Sequence, residues 1–163
     1  MITLELPNRK KNRLDEYDYS TPNAYFITIC TDKRRNLFWK DISSIVNSME
    51  DVALTPYGEI ATKVILEIPG HYPMISVDTF AVMPNHVHLL LQINTDHGGR
   101  PMAAPTIAMV VNQMKGAVSK QIGFPVWQKG YYDHVIRNNA DYREVWQYIE
   151  GNPGKWTEDK NNR

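Results

Sequence analysis

The chain has 163 residues, 42% hydrophobic and 22% charged, which is enough apolar material for one globular core and a length that fits a single domain over residues 1–163. Its 18 basic residues balance 18 acidic ones, so the overall basic excess common in nucleic-acid-binding domains is absent, and such a partner would need a local basic face. The single cysteine, Cys30, excludes an internal disulfide and a cysteine-based zinc site and fits a reducing compartment.

The opening MITLELPNRKKNR is charged and broken by Pro7, without the apolar run of a secretory signal. The longest clean apolar stretch, around Val87–Leu91, is too short to cross a bilayer, so a cytoplasmic protein with no membrane contact is expected. Residues 1–16 and 157–163 read as flexible tails. Arg9, Lys10, Lys11 and Arg13 form one basic cluster and Lys33, Arg34 and Arg35 another; each reads either as a phosphate contact or as a solvated loop.

Residues 24–31, AYFITICT, are rich in aromatic and β-branched side chains and predict a strand, followed by a basic turn at 32–36. A short pair of strands is expected over 37–54. The next segment, 55–68, opens with a Thr cap and a first-turn Pro and carries Ile60, Val64, Ile65 and Ile68 at helical spacing, which predicts a helix ended before Pro69. MISVDTFAVM (74–83) and HVHLLLQIN (86–94) predict an antiparallel hairpin about the Pro84-Asn85 turn. A mobile connector is expected at 95–105, which holds two glycines and two prolines. Beyond it, Ile107, Val110, Val111, Met114, Val118 and Ile122 line one stripe of a helix over 106–123, stopped by Gly123. Residues 126–136 read as extended with a bend at Gly130, and 139–152 as a last helix ended by Asn152-Pro153-Gly154. The order predicts an α+β fold: a ferredoxin-like or RRM-like antiparallel sheet with helices packed on one face, and a C-terminal helix.

Side chains alternate along a strand, so His86, His88, Leu90 and Gln92 share one face of HVHLLLQIN while Val87, Leu89, Leu91 and Ile93 share the other. The wholly apolar face must meet helices, which places the imidazoles on the more accessible side, roughly 7 Å apart at Cβ and able to converge on one ion. An isolated His-x-His pair is more often an inert surface feature. The last helix adds to it: Tyr142, Val145, Trp146 and Ile149 form its buried stripe, Tyr148 lies at the margin, and Asn152 follows one turn later on the same side. Packed across the His face, this helix brings a phenol and an amide oxygen to the same ion. The plainer alternatives are amphipathic packing for Tyr148 and a cap for Asn152.

AVMPNHVHLLL resembles the His-hydrophobic-His signature of single-tyrosine HUH transposases. VWQKGYYDHVIRNNADYREVWQYIEGNPGKW resembles the C-terminal block of the REP-associated tyrosine transposase branch, and AYFITICT and EIPGHYP match that branch as well, so the likeness spans about residues 17 to 156. The resemblance implies that Tyr148 is the nucleophile, with Tyr142 its competitor, and that His86, His88 and Asn152 bind a metal, Mg2+ or Mn2+. It further implies a DNA strand transferase acting on single-stranded or hairpin DNA through a 5′-phosphotyrosine intermediate, in a monomer or a homodimer. The chemistry suits these residue types: a phenol with a reference pKa near 10 needs a nearby cation or base to attack at neutral pH, and mixed nitrogen and oxygen ligands accept such cations.

Further readings stay open. His134 reads as a DNA or supporting contact or as a structural histidine, and His71 as structural. Lys115, Lys120 and Arg137 read as phosphate contacts or solvated cations. Trp127, Tyr131 and Tyr132 stack on bases or fill a core. A non-catalytic RNA-binding-type sheet is disfavoured because neither AYFITICT nor HVHLLLQIN carries the Arg/Lys-Gly-aromatic pattern. A hydrolase using activated water would leave no covalent adduct.

Overall fold

The computed structural model describes residues 23–94 and 106–158. The expected tail over 1–16, with its basic cluster of Arg9, Lys10, Lys11 and Arg13, and the connector at 95–105 lie outside the described residues, as does 159–163 of the second expected tail.

Among the described residues four strands form one antiparallel sheet: β1 (Asn23–Cys30), β2 (Ile75–Met83), β3 (His86–Ile93) and β4 (Tyr132–Val135), in the order β2-β3-β1-β4. β3 is thus hydrogen-bonded on both sides, with His86 opposite Cys30 and Met83, and His88 opposite Thr28 and Ala81. Among the described residues four α-helices accompany the sheet: α1 (Pro56–Leu66), α2 (Ile68–His71), α3 (Ile107–Ile122) and α4 (Asn139–Gly151). Thr55, Thr106 and Asn138 cap α1, α3 and α4 with side-chain oxygens that accept from first-turn amides. Gly123, at φ 104°, closes α3 in the left-handed region.

The apolar sheet residues Ile27, Ile29, Val82, Val87, Leu89 and Leu91 join Val64 and Ile65 of α1 and Val110, Val111, Met114 and Val118 of α3 in one buried cluster. α4 covers the other face and packs on β2 and β3. Its buried stripe is Asp141, Val145 and Ile149, continued by Asn152. Trp146, expected on that stripe, is instead 37% exposed and lies against Tyr142; the helix is turned so that Asp141, not Trp146, faces the sheet.

Elsewhere the elements differ from expectation for local reasons. α1 ends at Leu66, and Pro69 does not close it but sits in the first turn of α2, where a missing amide hydrogen costs nothing. The expected strands over 37–54 reduce to a single bridge between Trp39 and Leu54 and a 3-10 turn at Met49–Asp51. That segment is fastened by its own polar groups, with Trp39 Nε1 donating to Val82 O and the amides of Leu37 and Phe38 donating to Pro84 O. Within 126–136 only β4 is a strand, while Trp127 bridges to Thr31 and Gly130 bends the chain at φ 78°. After Asn152 the chain runs on as a 3-10 segment, Pro153–Glu158, which buries Trp156 and takes in the start of the expected 157–163 tail.

Candidate active site

His86 and His88 share a face of β3, but that face is not accessible: they are 0% and 3% exposed. The expectation of outward imidazoles fails because α4 and the following turn close over them. The two rings lie 4.7 Å apart, edge to face. Each meets the protein through Nδ1. His86 Nδ1 lies 2.8 Å from Asn85 Oδ1, which as a carbonyl oxygen only accepts, so the proton is on Nδ1 and Nε2 carries a lone pair. His88 Nδ1 lies 2.9 Å from the Thr28 hydroxyl on the neighbouring strand. Both Nε2 atoms are buried. Burial, helped by the charge of Arg34, lowers the His86 pKa to about 3, which keeps this imidazole in the neutral form that can ligate.

α4 supplies the opposite wall. The Tyr148 ring sits edge-on to His88, with centroids 5.5 Å apart, and to Phe26 at 5.8 Å; Phe26 in turn lies 5.3 Å from His88. Trp156, four residues past Asn152, flanks His86 at 6.2 Å. Asn152 stands midway in the chain between these two aromatic residues, each of which packs on one histidine. Its side chain is buried, and its Oδ1 has no hydrogen-bond partner. An acceptor left in that state costs about 1–3 kcal/mol, so it calls for a ligand. Tyr148 is 36% exposed and opens, with Glu144, Gln147, Gly151, Asn152 and Lys155, onto a cavity of about 290 Å³.

Among the described residues no group of three or more His, Cys, Asp or Glu side chains forms a cation site. The donor set at this place is two imidazoles and an amide oxygen, uncharged ligands that leave the charge of a divalent cation available to an anion. The buried Oδ1 of Asn152 and the lone pair on His86 Nε2 fit such an ion.

α4 is held by polar ties the sequence did not show. Tyr142 donates its hydroxyl to Asp78 Oδ2, Thr79 donates to Glu150 Oε2 at 2.6 Å, and His134 Nε2 lies 2.9 Å from Asp141 Oδ2. Asp78 reaches Tyr142 because a bulge between Val77 and Thr79 takes it out of the ladder. Burial and the Asp78 contact push the Tyr142 phenol far above its ordinary pKa. No periodicity marks these partners, which come from distant strands; the Asp78 bulge leaves no trace in ISVDTF.

The other singled-out residues separate by surroundings. Lys115 donates its ammonium to the carbonyls of Gln128 and Gly130, each at 2.9 Å, and thus braces the bend before β4. Lys120 and Arg137 are exposed. Trp127 packs on Phe38 at 5.7 Å and is half-buried, as is Tyr131, whereas Tyr132 is 68% exposed on the same sheet face as His88, with Thr28 between them. His134 is engaged by Asp141, and His71 is exposed at the end of α2.

No protein-family model matches the chain. An uncharacterised protein of Haemophilus influenzae is 30% identical over 172 aligned residues, covering 94% of this chain and 92% of that protein. A second protein of the same organism, named "Putative REP-associated tyrosine transposase", is 24% identical over 151 residues, 85% of this chain and 74% of its own length. The fold matches a REP-associated tyrosine transposase solved bound to a REP hairpin, with a TM-score of 0.57 and 19% identity over 78% of this chain; the chain spans 64% of that protein. It also matches a "putative transposase" from Deinococcus radiodurans, with a TM-score of 0.51 and 18% identity, covering 80% of this chain and 91% of that one. Among the described residues no helix is long and apolar enough to cross a membrane.

Proposed function

We propose that this chain, which belongs to one family with the uncharacterised Haemophilus influenzae protein and shares the fold of the two transposases, is a single-tyrosine HUH transposase of the REP-associated branch that cuts and rejoins single-stranded DNA beside a hairpin. The observation that carries this reading is the edge-on packing of the Tyr148 ring on His88, with the Asn152 oxygen buried one turn further along.

In the reaction the Tyr148 hydroxyl oxygen attacks the scissile phosphorus, a P–O bond forms to tyrosine, and the P–O3′ bond breaks. The phenol proton passes to solvent and the departing 3′-oxygen takes one up, leaving a 5′-phosphotyrosine and a 3′-hydroxyl. Attack by another 3′-hydroxyl reverses the step, and no nucleotide is consumed. His86 Nε2, His88 Nε2 and Asn152 Oδ1 would hold a Mg2+ or Mn2+ ion, which supplies Lewis-acid charge to the phosphate oxygens. His86 stays neutral through burial, and Asn85 and Thr28 fix the ring orientations. The phenol of Tyr142 is committed to Asp78 and resists ionisation, the opposite of what a nucleophile needs. The packing of Tyr148 on His88 of its own chain supports a site assembled within one subunit.

Hairpin DNA would approach at the β4 edge beside the covered His face, where Tyr132 offers an exposed ring for stacking, while the exposed Arg137, and Lys120 on the helix of the opposite face, would offer charge to phosphates. The test is incubation with hairpin-flanked single strands and Mn2+. A denaturation-resistant protein–DNA adduct is expected from the wild type and none from Tyr148→Phe; strand cleavage without an adduct would indicate water as nucleophile, and hairpin binding without cleavage a binding module.

A further inference from the structure

Tyr148 and Asn152 occupy the last turn and the C-cap of α4, and the end of a helix, where carbonyls are left over, carries partial negative charge. That is a poor place to receive a phosphodiester. The last turn contains no basic residue, and Glu144, one turn before Tyr148, lines the same cavity of about 290 Å³. Among the residues lining that cavity the positive charge comes from Lys155, which follows Asn152 in the 3-10 segment. Its backbone is fixed from both sides. The Lys155 amide donates to Asn152 O at 2.9 Å, and Gly154 lies so close to the loop of Val46 and Asn47 that a Cβ there would stand 3.2 and 3.3 Å from their carbonyl oxygens. On the other side Trp156 is buried, its ring 6.0 Å from that of Trp39 and 6.2 Å from that of His86. Lys155 itself is exposed, and among the described residues its ammonium has no hydrogen-bond or ion-pair partner.

We propose that Lys155 is a substrate-binding residue whose ammonium pairs with a charged oxygen of the phosphodiester that Tyr148 attacks, an inference that rests on the transesterification proposed above. The cavity lining runs from Glu144 through Tyr148 and Asn152 to Lys155, successive members about one turn apart, so these residues follow one face of α4 and its extension. Charge is therefore graded along the cavity. The carboxylate of Glu144 repels a strand phosphate at one end and the ammonium of Lys155 attracts it at the other, with the phenol and the amide oxygen between them. The histidines and the asparagine bring no fixed charge of their own to this place. A lysine suits the role because its ammonium is a compact point charge on a flexible stem, able to follow a phosphate as the strand settles. Lys155 exchanges no atom with the substrate, and the bonds made and broken are those already described.

The adduct formed by the wild type with Mn2+ first identifies the linkage that is cut. Strand affinity is then measured by fluorescence anisotropy in Tyr148→Phe, with Mn2+ present, so that binding is read without reaction. One charge-assisted contact to a phosphate is worth on the order of tenfold in affinity. Adding Lys155→Gln is expected to weaken binding by about that factor, whereas Lys155→Arg, which keeps the charge, retains most of the affinity. On a strand with a methylphosphonate at the cut linkage, where a charged oxygen is replaced by methyl, Lys155→Gln is expected to bind as well as its parent; with the methylphosphonate two linkages away, the loss is expected to persist. The Tm of Lys155→Gln should equal that of its parent, because the ammonium has no protein partner to lose. Undiminished affinity in Lys155→Gln, a loss that persists on the methylphosphonate at the cut linkage, or a lowered Tm would each overturn the assignment. Absence of an adduct from the wild type would instead remove the transesterase reading itself, and with it the phosphate that Lys155 is assigned to hold.

Discussion

Tyr142 of α4 donates its hydroxyl to the Asp78 carboxylate of β2, across the seam that docks the tyrosine helix on the sheet. Six residues later Tyr148 leans on His88, so the two phenols of one helix have opposite environments: one tied down and hard to ionise, the other half-open beside the imidazoles.

Tyr142→Phe is accordingly expected to preserve adduct formation while lowering stability by about 1 kcal/mol, the size of one partly exposed hydrogen bond to a charged group. The pH dependence follows from sign. The folded-state pKa of Tyr142 is raised above the unfolded value near 10, so its contribution is fully present below that value and is lost as pH rises beyond it. Urea melts between pH 8 and 11 should show a shallower alkaline decline in Tyr142→Phe; an unchanged decline would contradict the pairing.

Asn152→Ala removes an oxygen that already has no protein partner, so the metal-free protein should lose less than about 1 kcal/mol, mostly packing. Its response to Mn2+ should fall further. Saturation at a hundred times Kd stabilises the wild type by about 2.7 kcal/mol, and a tenfold loss of affinity at the same Mn2+ concentration lowers that to about 1.4 kcal/mol. Thermal melts with and without Mn2+ measure both quantities, and an undiminished metal shift would exclude Asn152 as a ligand.

Asp141 accepts from Arg137 N at 3.0 Å and pairs with His134, while its own amide donates to Asn138. Asp141→Ala deprives a backbone amide and an imidazole of their partner at once, and a loss of about 2–4 kcal/mol is expected. Hydrogen exchange should localise the damage to the β4–α4 junction, leaving β3 protected; uniform loss of protection would mean that the junction is not a separable unit.

Lys115→Ala and Lys120→Ala should divide cleanly. Lys115 holds two carbonyls, so its loss should lower the Tm and leave the salt dependence of hairpin binding unchanged. Loss of the exposed Lys120 should leave the Tm unchanged and lower the slope of log K against log salt by about one. The reverse pattern would reassign both.

Much of this was legible in HVHLLLQIN and in the stripe from Ile107 to Val118, because periods of 2 and 3.6 read directly as faces. The pairing of His86 with His88 on one face, and of Tyr148 with Asn152 one turn apart, came from the same arithmetic. Whether the His face is open was not legible, since alternation assigns residues to faces without saying which later element covers them; α4 and Trp156 do so here. Trp146 lies outside its expected stripe and Asp141 inside it because Asp141, satisfied by His134 and Arg137 N, can be buried at little cost, so hydrophobicity alone misjudged the helix rotation. Residues 37–54 took their shape from side-chain and amide bonds to Val82 and Pro84, contacts that no local pattern encodes.

The place of β3 between β1 and β2 has a consequence for how the centre behaves over time. Two hydrogen-bonded ladders grip the histidine strand, so its amides should exchange only when the whole domain opens. α4, by contrast, is moored by its buried Val145 and Ile149, a few side-chain bonds and one junction rather than by a backbone ladder. The centre thus resembles a vice with one fixed jaw and one sliding jaw, and whatever adjustment a bound strand demands must be made by the jaw that carries the phenol.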